Sequence, residues 1–391
     1  MRSKVLRTGA ARWNRPEVVR FLADPRHYPH HPRSVEIIET HFAWIFLAGE
    51  RAYKLKKPLH QTSMDYRTLA LRHRACRAEL ALNARLAPSV YRRIVALRRT
   101  RGGALTLRAA AAGPIVEWLV QMRRLPAARL MDQAIGAQRV SARDLDQVMT
   151  RLGRFFRRAR RAPMSDRAYR RQLGGEIRTC ARELRAADLA LDRARVKEVT
   201  DLQLKWLARH GRALSGRGRA LRDGHGDLRP EHVFLGAAGY PACVIDCLEF
   251  DPQLRRLDPA EEMAFLALEC ARLGAARLGR GLLERYVEGL QDPIPPALWA
   301  FYMSRRALVR AQIAAWHLRD PEFSGQSRRW RMRAQSYLDD ALRLIRRANG
   351  LTSSVDGECA RAPARRHAAT QTGQRSSRGE TGSAASMRRS V

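Results

Sequence analysis

Long apolar runs are missing from the 391-residue sequence. No stretch of about eighteen uninterrupted apolar residues occurs, so we expect no transmembrane helix and no membrane partner. The N-terminal region is basic, but it has neither the apolar segment nor the small-residue cleavage site of a secretory signal. These absences predict a protein that acts in the cytoplasm.

Cysteine and lysine are both scarce. The six cysteines are scattered, and no pair has the CxxC spacing of a zinc site, which indicates reduced structural thiols. Only six of the 74 basic residues are lysines, so 68 are arginines. Because this bias extends over the whole chain, we attribute it to genomic base composition and expect no specific nucleic-acid partner. A nucleic-acid-binding protein stays an alternative, since the net charge is +36.

Two regions of different apolar pattern follow one another. Residues 34–58 carry β-branched and aromatic runs broken at Gly49, which predicts three antiparallel strands. A helix, a hairpin turning at Gly102 and one further strand follow. From Ser141 onward long amphipathic helices predominate, interrupted by one clear hairpin. The sequence therefore predicts an α+β fold of two lobes.

We divide the chain into four parts. Residues 30–123 form a sheet-rich lobe with one helix, and residues 124–350 form a helical lobe that carries the hairpin. Residues 1–29 form a helical extension. Residues 351–391 are rich in Ser, Thr, Gly, Ala and Arg without an apolar period, which predicts a disordered basic tail.

Carboxylates gather in the segment GHGDLRPEHVFLGAAGYPACVIDCLEFD, residues 224–251. Asp227 lies at its start, and Asp246 ends an apolar strand after the hairpin. A hairpin can bring these two carboxylates to one edge, where hard oxygen ligands would suit Mg²⁺. The alternative is that each aspartate only caps a turn.

Four segments in order resemble the aminoglycoside phosphotransferase and choline kinase-like families, most closely an uncharacterised bacterial branch. They are IETHFAWIFLAGERAYKLKKP, AELALNARLAP, VQMRRLP and DGHGDLRPEH, and the resemblance covers about residues 33–345. It implies a bilobal protein-kinase-like fold with a small β-rich N-lobe and a larger helical C-lobe. It also implies ATP-dependent transfer of the γ-phosphate to a hydroxyl of a small molecule, with Mg²⁺.

The resemblance assigns roles to individual residues. Asp227 would orient the acceptor hydroxyl, and Asp246 would hold the metal. Lys54 would contact the α- and β-phosphates and pair with Glu79 of the N-lobe helix. Lys54 and Lys56 face the same side of a strand, so Lys56 stays open as the competing choice, and an ordinary solvated edge strand is the simpler alternative.

Further residues of the nucleotide site follow from the same resemblance. The main chain of Gln121, Met122 and Arg123 would form the linker that holds adenine. The loop that covers the phosphates should lie near ETHFA, although no GxGxxG occurs there. Asp258 resembles an aspartate that buttresses the catalytic loop.

His232 departs from the family pattern, which has Asn at this position. Imidazole is a poor ligand for Mg²⁺ and suits softer ions. Either Asp246 and the phosphates hold the metal, or Mn²⁺ is accepted, or activity is reduced. Glu249 and Asp251 could supply a missing ligand, whereas Arg229 and Glu231 are expected to form an internal ion pair.

Two questions stay open at this point. A nucleotide-binding pseudokinase without turnover is the main alternative to an enzyme, because of His232 and the missing glycine loop. A polycationic aminoglycoside would be repelled by so basic a protein, so a neutral or anionic acceptor is at least as plausible. The oligomeric state is not indicated.

Overall fold

The computed structural model describes residues 16–61, 64–320 and 325–359. One compact unit ends at Thr352, and a second begins at Ser353. Residues 1–15 of the predicted extension and 360–391 of the predicted tail lie outside the described residues. Within the described part, no helix is both long and apolar enough to cross a bilayer.

Six strands of the N-lobe form one antiparallel sheet, and two more form a small hairpin. The strands are β1 (Val35–Glu39), β2 (Ala43–Ala48), β3 (Arg51–Lys56), β4 (His60–Gln61), β5 (Met64–Asp65), β6 (Tyr91–Arg99), β7 (Leu105–Thr106) and β8 (Ile115–Arg123). Their order in the sheet is β1-β2-β3-β8-β6-β7, and β4 pairs with β5. The three predicted strands of residues 34–58 are confirmed, with Gly49 at a φ of +58° in the turn before β3.

Alternation along the strands gives the sheet two buried faces. On one face Phe46, Leu55 and Leu119 pack with the apolar residues of helix α1 (Pro16–Ala23). On the other face Val120 packs with Cys76 of helix α2 (Leu69–Asn83). A buried ion pair between Arg72 of α2 and Glu117 of β8 fixes that helix on the sheet.

Helices make up most of the C-lobe. They are α3 (Met131–Gly136), α4 (Ala142–Arg158), α5 (Asp166–Leu184), α6 (Arg193–Arg209), α7 (Arg217–Ala220), α8 (Pro252–Arg255), α9 (Pro259–Arg272), α10 (Ala276–Leu290), α11 (Pro296–Arg319) and α12 (Ser327–Cys359). The predicted capping box at the start of α4 is present, with Ser141 and Asp144 as its two members. Helix α12 continues nine residues beyond Gly350, where the sequence pattern predicts its end.

Helix α9 is the centre of the C-lobe core. All its residues from Pro259 to Cys270 are buried, because α10 and α11 cover it. Trp206 of α6 stacks on Phe301 of α11 with ring centroids 4.3 Å apart. This packing holds α9 and α11 rigidly behind the carboxylate-rich segment.

Two short strands lie within the segment of residues 224–251, and two more flank it. They are β9 (Arg222–Asp223), β10 (Val233–Phe234), β11 (Cys243–Val244) and β12 (Arg256–Leu257). β10 and β11 form the predicted hairpin, and β9 pairs with β12. Phe234 and Cys243 of the hairpin belong to the same apolar cluster as Val120 of the N-lobe sheet. The hairpin therefore lies directly against the N-lobe.

Candidate active site

The backbone around Asp227 is held from below by two C-lobe helices. Glu262 of α9 accepts hydrogen bonds from the amides of His225 at 2.8 Å and Gly226 at 2.6 Å. Arg306 of α11 donates to the carbonyl oxygen of Gly226 at 3.0 Å. Gly226 has a φ of +90°, and a Cβ there would lie 2.8 Å from Leu248, so only glycine fits without displacement.

The Asp227 carboxylate lies beside an arginine. Arg229 contacts its Oδ2 from Nη2 at 2.9 Å and also pairs with Glu231 at 3.1 Å. Burial would raise the pKa of the Asp227 carboxyl, but Arg229 and His232 outweigh that effect and hold the pKa well below its usual range. The ion pair predicted between Arg229 and Glu231 is thus present, and Arg229 makes a second contact that the sequence did not indicate.

His232 lies between the two aspartates. Its Nδ1 is 2.8 Å from the carbonyl oxygen of Asp227, and its Nε2 is 3.6 Å from Oδ2 of Asp246. A carbonyl oxygen can only accept, so we assign the hydrogen to Nδ1, and in the neutral ring the lone pair is on Nε2. That nitrogen is also 3.4 Å from Nη2 of Arg229.

Asp246 follows β11 in a left-handed backbone conformation with a φ of +63°. Its amide donates to the hydroxyl of Tyr91 at 3.1 Å, and the next amide, of Cys247, donates to Oδ1 of Asn83 at 2.9 Å. Both partners belong to the N-lobe side of the site. The non-glycine strain is therefore held by contacts to β6 and α2, which fix the carboxylate between the lobes.

A chain of alternating charges connects Asp246 to the N-lobe. Lys54 Nζ is 2.6 Å from Oδ1 of Asp246 and 2.9 Å from Oε1 of Glu79. Lys56 Nζ is 2.6 Å from Oε2 of Glu79 and also pairs with Glu249. Glu79 is thus shared by both lysines.

The geometry separates the two lysines that the sequence left as alternatives. Lys56 has a side chain only 2% exposed and is enclosed by Glu79, Glu249 and the Tyr66 ring. Lys54 is 13% exposed and is the lysine that contacts Asp246. Burial would lower the pKa of Lys54, but Asp246 and Glu79 raise it well above its usual value, so the ammonium stays charged. Lys54 is therefore the more exposed of the two lysines and the one that contacts Asp246.

The three residues predicted to form the linker lie at the end of strand β8. Gln121, Met122 and Arg123 end strand β8 and are paired with β3, and the first two are also paired with β6. The amide of Arg123 itself donates to the carbonyl of Val90 at 2.8 Å. Residues 124–126 follow the strand and lead to the C-lobe.

Two other expectations about carboxylates are corrected. Glu249 pairs with Lys56 and accepts a hydrogen bond from the hydroxyl of Tyr66. Asp251 caps α8 by accepting from the amide of Gln253 at 2.8 Å. Neither stands beside Asp246 as a spare ligand. Asp258 is buried in an ion pair with Arg217. The residue that bonds directly to the loop before Asp227 is Glu262.

Several residues of the site carried no sequence signal. Glu262, Arg306, Tyr91 and Asn83 all bond to the backbone of the two aspartate segments, yet each stands in an ordinary helix or strand pattern. Glu262 is so buried that its pKa is raised to about 7. Only the fold brings these side chains to the aspartates, since the chain separates them widely.

A metal ion would find two ligands from the protein here. Asp246 offers carboxylate oxygen and His232 offers Nε2, while Asp227 is engaged by Arg229. Across residues 16–61, 64–320 and 325–359, no group of three or more His, Cys, Asp or Glu side chains could hold a metal by itself. Water or other oxygen ligands from outside the protein would have to complete the coordination.

The sequence of this chain is similar to mycobacterial proteins. Uncharacterised proteins of Mycobacterium tuberculosis and Mycobacterium bovis are 33% identical over 289 residues, which is 71% of this chain and 54% of each relative. The chain therefore spans about half the length of the curated relatives it matches. No protein-family model matches the sequence.

Solved structures are also similar to this chain. A GDP and kanamycin complex of an aminoglycoside phosphotransferase is 12% identical, covers 85% of this chain and 98% of its own, and has a TM-score of 0.50. A choline/ethanolamine kinase family protein of Mesorhizobium loti is 15% identical, with 84% and 99% covered and a TM-score of 0.46. The chain has the bilobal protein-kinase-like fold of the aminoglycoside phosphotransferases.

Proposed function

We propose that the protein is an ATP-dependent phosphotransferase that moves the γ-phosphate to a hydroxyl of a small molecule. The observation that carries the proposal is the line Asp227–His232–Asp246–Lys54–Glu79, which joins a C-lobe carboxylate to an N-lobe lysine through contacts of 2.6 to 3.7 Å. Phosphoryl transfer depends mainly on positioning and on neutralising charge, which this line of residues can supply.

Each residue has a step in the proposed reaction. Lys54 contacts the phosphates as a point charge, while Glu79 holds its ammonium group in place. Asp227 accepts a hydrogen bond from the acceptor hydroxyl and orients its oxygen toward the γ-phosphorus. As that oxygen bonds to phosphorus, the bond from phosphorus to the β–γ bridging oxygen breaks, and the hydroxyl proton passes to Asp227.

The cofactors of the proposed enzyme are ATP and a divalent metal. Asp246 and His232 would hold the metal, which when bound neutralises charge on the phosphates. Mg²⁺ and Mn²⁺ both have to be tried, because one of the two ligands is an imidazole. Residues 124–126 follow the sheet where a linker to adenine would begin. GTP belongs in the nucleotide panel as well, since the similar aminoglycoside phosphotransferase was solved with GDP.

Replacing the carboxylate at position 227 tests the proposal. We expect Asp227→Asn to lower acceptor-dependent ADP formation by about 10²-fold or more, because the positioned base is lost, with nucleotide binding within about threefold of wild type. ADP release across a metabolite library gives the rate, and a thermal shift with nucleotide and metal gives the binding. The exposed control Asp201→Asn should change neither.

The outcomes separate the proposal from its rivals. Nucleotide binding without turnover of any acceptor would support a pseudokinase. Full activity of Asp227→Asn would rule out the role given to this carboxylate. Steeply salt-dependent DNA binding that persists in Lys54 and Asp246 variants would instead favour a nucleic-acid protein.

A further inference from the structure

One guanidinium beside the candidate active site lacks a hydrogen-bond partner within the described chain. Arg310 of α11 has a side chain only 11% exposed, and its Nε is buried without an acceptor. The carboxylate nearest to it in an ion pair is Glu269, 3.9 Å from Nε, which is too far for a hydrogen bond. Tyr337 donates to both oxygens of Glu269, at 2.8 and 3.1 Å, so that carboxylate is already engaged.

Arg310 lies on the face of α11 that holds the Asp227 loop. Arg306, four residues earlier and thus on the same face, donates to the carbonyl oxygen of Gly226 at 3.0 Å. Arg310 also acts on the catalytic-type carboxylate electrostatically. Burial, Arg229 and His232 have larger effects on the pKa of Asp227. Arg310 comes next, and it lowers that pKa.

The neighbouring arginines are already matched by carboxylates. Arg229 is shared between Asp227 and Glu231. Arg305 of α11 pairs with Glu176 at 2.5 Å and with Glu261. Arg306 is 3.7 Å from Oε1 of Glu261, whereas the ion pair of Arg310 with Glu269 is longer, at 3.9 Å. Burial first, and then the charge of Arg305, lower the pKa of Arg306 to about 10.

Besides the distant Glu269, the guanidinium of Arg310 contacts only the Tyr337 ring, 5.6 Å from its centroid, among the described residues. A buried Nε without a hydrogen-bonding anion is costly, so this arrangement favours an anion supplied from outside. We propose that the acceptor carries an anionic group, a carboxylate or a phosphate, and that Arg310 binds it beside the hydroxyl oriented by Asp227. The proposal rests on the proposed phosphotransferase function, and it makes Arg310 a specificity-determining residue. It also separates this protein from kinases whose acceptors are cations.

Direct binding tests the anion site without any need for turnover. Inorganic phosphate and acetate are titrated calorimetrically into wild type, Arg310→Gln, Arg310→Lys and Arg319→Gln. Arg319 is the matched control, because it lies on the same helix but is surface-exposed and pairs with Asp188 at 2.7 Å. We expect the affinity for the preferred anion to fall at least tenfold in Arg310→Gln, to recover in part in Arg310→Lys, and to be unchanged in Arg319→Gln. Equal affinities in wild type and Arg310→Gln would overturn the proposal.

Turnover then compares probes that differ in the anionic group. Glycerol 3-phosphate is compared with glycerol, and D-gluconate with D-glucose, so that the pairs distinguish a phosphate from a carboxylate. At least one anionic member should show a kcat/KM about tenfold or more above its neutral partner, and Arg310→Gln should remove that preference through KM. A neutral member that equals or exceeds its anionic partner in both pairs would overturn the proposal.

Failure of the proposed function gives a different pattern. If no compound yields ADP but the anion still binds in an Arg310-dependent way, the anion site stands and the phosphotransferase does not. Arg310→Gln should fold, because the change removes one long ion pair and a contact with the Tyr337 ring, while Glu269 keeps its hydrogen bond from Tyr337. Circular dichroism and a melting curve check that each variant is native before it is titrated.

Discussion

Histidine at position 232 turns one lone pair toward Asp246 because the carbonyl of Asp227 takes the hydrogen of Nδ1 at 2.8 Å. A histidine fixed in this way resembles metal-binding histidines, which usually donate their other nitrogen to a carbonyl or carboxylate. The sequence could indicate that His232 stands where a metal ligand is expected. It could not indicate the tautomer, which depends on a backbone atom five residues away.

Substitution of His232 should change the metal preference. We expect wild type to have a higher kcat/KM with Mn²⁺ than with Mg²⁺, and His232→Asn to shift the Mn²⁺:Mg²⁺ ratio at least tenfold toward Mg²⁺. The reason is that an amide oxygen is a harder ligand than imidazole nitrogen. Initial rates with each metal, over a range of metal concentration, measure the ratio.

His73→Asn is a suitable control for that experiment. Its ring stacks on Trp118 with centroids 4.0 Å apart, on the N-lobe helix and sheet. The metal ratio of this variant should equal that of wild type. An unchanged ratio in His232→Asn would mean that the imidazole is a loop residue and not a ligand.

At the scale of elements, strand β3 joins helix α2 to the segment that follows Asp246. Lys56 makes this connection through Glu79 and Glu249, and it is almost completely buried. Sequence periodicity placed Lys54 and Lys56 on one side of the strand, which the structure confirms. It could not tell which of them is enclosed, because Glu249 lies 193 residues away in the chain.

Removal of the Lys56 ammonium should destabilise the protein strongly. We expect Lys56→Met to lower the free energy of unfolding by about 3–5 kcal/mol, since two buried carboxylates lose their shared cation. The double variant Lys56→Met/Glu249→Gln should lose less than the sum of its single variants. Urea unfolding followed by circular dichroism gives the three values.

Lys197→Met is the control for a lysine ion pair at the surface. Lys197 pairs with Asp201 at 2.6 Å on an exposed helix face, and such pairs contribute about 0.3–0.5 kcal/mol. If Lys56→Met cost no more than this control, the buried charges would have to be compensated by water or by rearrangement.

The exact end of strand β8 could not be predicted, for a reason that belongs to this scale. The pattern of VQMRRLP shows where the strand ends only to within a few residues, because Gln121 and Arg123 are polar yet still lie in the sheet. Gln121 is accommodated there by donating to the hydroxyl of Tyr53 at 2.7 Å and accepting from Arg93 at 2.8 Å. Such cross-strand partners are visible only once the strands are paired.

At the scale of the whole molecule, the order of the two lobes along the chain was predictable. The helix side chains that hold the Asp227 loop were not. Short continuous motifs, such as the one around Lys54 and the one around Asp227, identified a kinase-like fold. Glu262 and Arg306 act on the Asp227 loop from the core of the C-lobe, and apolar periodicity alone would place them among ordinary helix residues. The net charge of +36 is likewise partly used inside the fold, for example by Arg217 against Asp258.

The buried Glu262 should make stability depend on pH. Its pKa is raised from 4.5 to about 7 by burial, so the folded protein binds a proton that the unfolded chain has released between these values. The contribution of Glu262 is therefore fully present below about pH 4.5 and is lost as the pH rises to about 7. Glu262→Gln should remove this dependence, which amounts to on the order of 3 kcal/mol.

Unfolding by urea at several pH values between 4.5 and 7.5 measures this effect as the difference between wild type and variant. Glu284→Gln, at an exposed position of α10, is the control and should follow wild type throughout. A difference between wild type and Glu262→Gln that stays constant with pH would contradict the raised pKa.

The sharing of Glu79 by two lysines bears on how a nucleotide could enter. Suppose that Lys54 turned away to a phosphate. If Lys54 were the sole partner of Glu79, this movement would leave the Glu79 carboxylate as an isolated anion in the interior. Here Lys56 continues to neutralise Glu79, so the exchange needs only one side chain to turn and no swing of α2. The N-lobe would then bind the proposed nucleotide without a rearrangement of its helix.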